Sequence, residues 1–133
     1  MKKTTVMCFG TFDLLHPGHL NYFQQAKKHG NHLIVIIARD KTKQLQKKKL
    51  LFNEKERLKL VQNIQIVDQV VLGDLNNHFH IIKKLQPHVI CLGHDHKINL
   101  QELQAQLLPL KPTIKRMKPY KRHKYSSSLL KLR

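Results

Sequence analysis

Five short apolar runs alternate with stretches whose apolar residues fall at helical spacing, and this alternation limits the possible folds of the chain most severely. Residues 5–9, 33–38, 67–72, 89–92 and 113–117 have strand length and are mostly apolar or β-branched. The run Leu33-Ile34-Val35-Ile36-Ile37-Ala38 has no polar interruption, as expected of a strand buried on both faces of a parallel sheet. Residues 20–28 carry the first helical stripe. Leu58, Val61 and Ile64 carry the second, Phe79, Ile82 and Leu85 the third, and Leu100, Leu103 and Leu107 the fourth. Asn53 is a good N-cap with Glu56 in capping-box position, and Pro87 and Pro109 stop the helices before them. Residues 41–51 are expected to form a mobile basic loop, helical in part at most. Ser126, Ser127 and Ser128 offer caps for a short last helix through Leu132. Strand–helix alternation of this kind predicts an α/β domain with a parallel sheet and right-handed crossovers.

A chain of 133 residues makes one domain, residues 1–133, with enough length to bury a real core. No apolar run approaches the roughly 18 residues of a membrane-spanning helix. Met1-Lys2-Lys3 leads into a strand without a secretory cleavage pattern, and Cys8 and Cys91 sit inside apolar runs, where thiols behave as small hydrophobes. A cytoplasmic protein without membrane contact is the expectation. The formal charge of +17 favours anionic partners and adds nonspecific attraction to nucleic acid. The cations are spread over residues 41–49, 55–59, 83–84 and 111–133, so no single patch is defined.

In open parallel sheets, ligands bind beyond the carboxyl ends of the strands. The polar clusters of this chain fall at those ends: residues 10–19, Arg39-Asp40, Gly73-Asp74, residues 93–96, and the segment before Ser126. The first is the richest, reading Gly10-Thr11-Phe12-Asp13-Leu14-Leu15-His16-Pro17-Gly18-His19. A strand, a glycine turn and a helix start bearing two histidines together suggest a phosphate site, since a helix N-terminus presents unpaired N–H groups and a positive dipole end. Gly10 and Gly18 let backbone approach the anion, and His16 and His19 bring imidazoles to the same group. No Gly-Lys-Ser/Thr follows, so this is not a P-loop, and it is not a dinucleotide Gly-x-Gly-x-x-Gly. His78, His80, His94 and His96 lack the three or four convergent ligands that zinc requires, so no metal-ligating residues are assigned.

The first cluster resembles the GTFDxxHxGH signature of the nucleotidyltransferase superfamily, which includes cytidylyltransferases and archaeal-type FMN adenylyltransferases. Ala38-Arg39-Asp40, Asn53-Glu54-Lys55-Glu56-Arg57, Val67-Asp68, Leu92-Gly93-His94-Asp95 and Ser126-Ser127-Ser128 match that family in order and approximate spacing. The resemblance implies a Rossmann-like α/β fold: a parallel five-stranded sheet with helices on both faces. It also implies transfer of a nucleoside monophosphate from ATP or CTP to a phosphate monoester, with pyrophosphate released and Mg²⁺ carried by the triphosphate. A strong general base is unnecessary for this reaction, because the attacking phosphate oxygen is already anionic near neutral pH. Positioning and electrostatic stabilisation should then carry catalysis.

By the same resemblance His16, His19 and Lys48 are catalytic, with Lys48 facing the leaving group. Gly10, Thr11, Phe12, Gly18, Arg57, Gly93, Asp95, Ser126, Ser127 and Ser128 are nucleotide-binding. A homodimer is implied. The family's Gly-Lys-x-Pro loop is replaced here by Lys47-Lys48-Lys49-Leu50, so Lys47 and Lys49 compete with Lys48 for its role. Arg57 has an alternative as a surface arginine paired with Glu54, and Asp95 as a turn cap. Ala38-Arg39-Asp40 and Tyr125-Ser126-Ser127-Ser128 favour the FMN adenylyltransferase branch, with FAD as product. A cytidylyltransferase or adenylyltransferase for glycerol 3-phosphate or a sugar phosphate is the alternative. A non-catalytic basic nucleic-acid-binding protein is the alternative of another class.

Overall fold

The computed structural model describes residues 3–74, 78–94 and 96–120. Strands β1 (Thr5–Gly10), β2 (His32–Ile37), β3 (Gln69–Leu72), β4 (Val89–Leu92) and β5 (Thr113–Arg116) alternate with helices α1 (Pro17–Lys27), α2 (Asp40–Leu45), α3 (Glu54–Gln62), α4 (His78–Leu85) and α5 (Leu100–Leu107). The strands form a single five-stranded sheet in the order β3-β2-β1-β4-β5. All four pairings are parallel.

Successive strand residues point to opposite faces, and this divides the core in two. Val6 and Cys8 of β1 join Leu33, Val35 and Ile37 of β2 on one face, under Phe23 and Ala26 of α1 and Val61 of α3. Met7, Ile34, Ile36 and Ile90 point the other way, under Ile81 and Ile82 of α4 and Leu103 and Leu107 of α5. Helices therefore cover both faces, as the unbroken apolar run of β2 requires.

The chain runs outward from β1 through β2 to β3, then returns to the other side of β1 for β4 and β5. The reversal puts the topological switch point between β1 and β4, and open parallel sheets bind ligands at the carboxyl edge of that point. Three boundaries differ from the sequence expectation. α1 begins at Pro17 rather than residue 20, because His16 caps it. α2 takes in Asp40, expected to close the strand before it, and the first residues of the stretch 41–51 that was expected as a loop with some helix. β3 begins at Gln69; just before it the Asp68 N–H donates to Leu33 O at 3.0 Å, while the Asp68 carboxylate, in place of a backbone carbonyl, accepts the Leu33 N–H. Leu100, expected on a buried stripe, lies exposed at the start of α5. The last helix expected after Ser126 lies outside the described residues.

Candidate active site

β1 delivers the chain to the carboxyl edge at Gly10. Phe12 then folds back with φ of 55°, and its ring lies where a Gly10 side chain would be, 2.5 Å from the position of a Cβ. Only glycine fits beneath that ring. Phe12 is buried, tilted against Phe23 and edge-on to His19, each at 5.2 Å between centroids. Its side chain is thus a wedge under the turn of residues 10–13, so of the roles expected of it only a backbone contact to a ligand is left.

The two histidines cap α1 reciprocally. His16 Nδ1 accepts from the Gly18 N–H at 3.1 Å, and His19 Nδ1 accepts from the His16 N–H at 3.3 Å. The rings stack at 3.8 Å with 25° between their planes. An imidazole whose Nδ1 accepts carries its proton on Nε2, so both rings are set as Nε2 donors. Burial lowers the pKa of His16, which favours the neutral ring. Pro17 at the first helical position has no N–H to satisfy. The capping bonds that start the helix also orient the two rings beside its positive end.

Arg57 differs from the nucleotide-contacting role expected of it. It is fully buried, and its guanidinium is spent on the protein: NH1 donates to Thr11 O at 2.8 Å, Nε to Phe52 O at 3.2 Å, and NH2 to Asp40 Oδ1 at 2.7 Å. Glu54 pairs instead with Arg39, at 3.0 Å. Asp40 and Glu54 each accept the other's backbone N–H at 3.0 Å, and Arg39 Nε donates to Gly73 O at 2.7 Å. This network joins the carboxyl ends of β1, β2 and β3. Sequence reasoning assigned no role to Asp13 or Asp40, and it considered Glu54 only as an alternative surface partner of Arg57. An acidic residue opening each of two consecutive helices was the available signal.

Lys48 is exposed, and its N–H donates to Lys43 O at 3.0 Å, so the basic loop folds back onto α2. Burial, with Lys48 and Arg57 nearby, lowers the pKa of Lys43. Cations therefore gather here beside the loop that carries Thr11.

On the other side of the switch point, β1 and β4 pair only as far as Cys8 and Cys91. Tyr22 fills the gap where they part: its hydroxyl accepts from Phe9 N and donates to Cys91 O. Beyond it, Gly93 N donates to His96 Nδ1 at 3.1 Å, and Arg116 NH1 donates to both Gly93 O and His96 O. The backbone of Gly93 is therefore built into a braced loop facing α1. Burial pushes the Cys8 thiol far up and the Cys91 thiol to about 11, so neither is a ready nucleophile.

The structure thus brings Gly10, Thr11, Gly18, His16, His19 and the Lys48 loop to one side of the switch point and Gly93 to the other. Asp95, Ser126, Ser127 and Ser128 lie outside the described residues. Among the described residues, no group of three or more His, Cys, Asp or Glu side chains converges to hold a metal ion. An open groove of about 700 Å³ runs elsewhere, between α1 and β5, lined by Asn21, Gln25, Lys28 and Lys118 among others. His16, His19 and Lys48 are not part of its lining. The unpaired N–H groups expected at the start of α1 are spent on His16, whose Nδ1 takes Gly18 N and whose carbonyl takes His19 N and Leu20 N. The histidine centre therefore offers neutral imidazole N–H donors, the positive dipole end of α1 and nearby ammonium groups. These are the means to bind phosphates and to stabilise charge moving between them.

Residues 7–133 match the family model described as cytidylyltransferase-like. An FAD synthase of Methanohalophilus mahii is 44% identical over 104 residues, covering 78% of this chain and 72% of that protein. One of Picrophilus torridus is 38% identical over 130 residues, covering 96% and 94%. Among solved structures, the lipopolysaccharide core biosynthesis protein from Thermoplasma volcanium GSS1 has a TM-score of 0.86 at 35% identity, covering 90% of this chain and 99% of that one.

Proposed function

This chain belongs to the cytidylyltransferase-like family, and from that premise we propose that it is an FMN adenylyltransferase, making FAD from ATP and FMN. The carrying observation is the similarity, near 40% identity over most of the chain, to archaeal proteins named FAD synthase. The reacting groups suit the site. An FMN phosphate oxygen attacks the α-phosphorus of ATP, the bond from that phosphorus to the bridging oxygen breaks, and pyrophosphate leaves with that oxygen. No proton need be removed from the nucleophile, which agrees with a centre holding neutral histidines and no ready thiol.

In this reading Nε2–H of His16 and of His19 donate to α- and β-phosphate oxygens, with Gly10, Thr11 and Gly18 providing close backbone approach. Lys48 neutralises the departing pyrophosphate. Gly93 lines the nucleotide crevice, and Asp95, Ser126, Ser127 and Ser128 complete the nucleotide contacts. Arg57 acts from beneath, by holding Thr11. Mg²⁺ enters as part of the MgATP substrate, ligated by phosphate oxygens and water, as suits a site whose described residues gather no carboxylate cage. The working form is a homodimer in the cytoplasm.

The test is incubation of the purified protein with Mg²⁺, ATP and FMN, following FAD by chromatography and pyrophosphate by a coupled assay. FAD formation is expected. Pyrophosphate release with CTP and glycerol 3-phosphate, and none with ATP and FMN, would sink the flavin assignment. Removing an oriented donor from a charge-stabilising site costs about 10²–10³ in kcat. His16→Ala and His19→Ala are each expected to lose that much while the chain still folds, and retained turnover in the double variant refutes the mechanism.

A further inference from the structure

The far end of the basic loop is fastened to the phosphate loop through one buried carboxylate. Asp13 is 3% exposed, and both its oxygens accept from the Leu51 N–H, at 2.9 and 2.8 Å. Its Oδ1 accepts from the Phe52 N–H as well, at 2.8 Å. Phe52 is gripped a second time from its carbonyl by Arg57, which also holds Thr11 O. Asp13 lies between the left-handed Phe12 and the cap residue His16, so its position is set by the same turn that places the histidines.

Lys48 lies three residues before Leu51. Its loop carries Lys47, Lys48 and Lys49 in succession, with Lys43 adjoining, and like charges drive such a loop apart and toward water. A lysine on an unanchored loop samples many positions, and misplacing a charge by about 1 Å costs on the order of 10²-fold in rate. A buried carboxylate bonded to backbone N–H groups is a strong anchor, because the pairing is charge-assisted and replaces water on both sides.

We propose that Asp13 is a positioning residue for the transfer, its carboxylate holding the Leu51–Phe52 backbone so that Lys48 meets the leaving pyrophosphate opposite the His16–His19 pair. This rests on the assignment of Lys48 to the leaving group. Asp13→Asn in the full chain turns one acceptor into a donor that faces backbone N–H groups. With MgATP and FMN, the variant is expected to lose about 10–100-fold in kcat while KM for FMN stays within about twofold. In a Lys48→Ala background the same substitution is expected to cost little further, because both changes remove one contribution. Losses that multiply, or a single variant within about twofold of the unaltered chain, overturn the proposal. A second readout needs no turnover: in the unaltered chain the Leu51 and Phe52 amides are expected to exchange hydrogen slowly. Fast exchange there overturns the anchor even if the acceptor is not FMN, whereas slow exchange without FAD formation faults the flavin assignment alone.

Discussion

Tyr22 shows how much of this site is decided by single atoms. Parallel strands that diverge leave an N–H and a carbonyl without ladder partners, and unpaired buried groups are costly. The Tyr22 hydroxyl answers both, accepting from Phe9 and donating to Cys91 O, so β1 and β4 part without an orphaned group on either strand. Burial raises the Tyr22 pKa well above its ordinary value, which keeps the hydroxyl a donor. Tyr22→Phe is expected to destabilise the protein by about 1–3 kcal/mol, read from urea denaturation, since it strands both backbone groups. Arg57 makes the complementary point. Its place on a helix after Glu54 reads equally well as surface or site, and only the packing reveals a buried brace between Thr11, Phe52 and Asp40.

Helix starts are where secondary structure and function meet. α1 takes its cap from His16 and His19, so a change to either ring disturbs the helix end together with the proposed phosphate contacts. α3 has the commoner arrangement: Asn53 Oδ1 accepts from Glu56 N at 2.8 Å, and Glu56 returns the bond to Asn53 N at 3.0 Å. Asn53→Ala is expected to cost about 1 kcal/mol, seen as a lower denaturation midpoint with unchanged slope. That cap was legible because its residue types and spacing are local. The histidine cap was not, since imidazoles seldom serve as caps and their pairing depends on ring orientation. α2 was read only as a loop with some helix in it, because its six residues bury no side chain and no apolar stripe marked its bounds.

At the scale of the whole molecule, stability should fall on the acid side. The folded pKa of His16 lies below its ordinary 6.5, so the unfolded chain binds that proton first. The stabilisation is therefore full above pH 6.5 and is lost as pH falls below it. Desolvation alone would raise the Asp68 pKa, but Lys27 and the Leu33 N–H outweigh it, and the net shift is downward from 3.8. Its contribution is lost in a second, more acidic window. A melting temperature that drops in both windows is expected; one that holds from pH 7 to 4 contradicts the His16 assignment, and one that holds on further acidification below 3.8 contradicts the Asp68 assignment. The α/β class, the strand order of events along the chain, the glycine turn and the histidine pair were all readable from residue order, because burial periodicity and turn chemistry act between near neighbours. What the tertiary structure decided was which polar groups are spent on the fold. Asp13, Asp40, Glu54 and Arg57 meet partners 14 to 46 residues away, and no local pattern encodes those meetings. Sequence order alone determined the glycine turn and its histidine pair; the sheet's reversal between β1 and β4 determined what that turn faces.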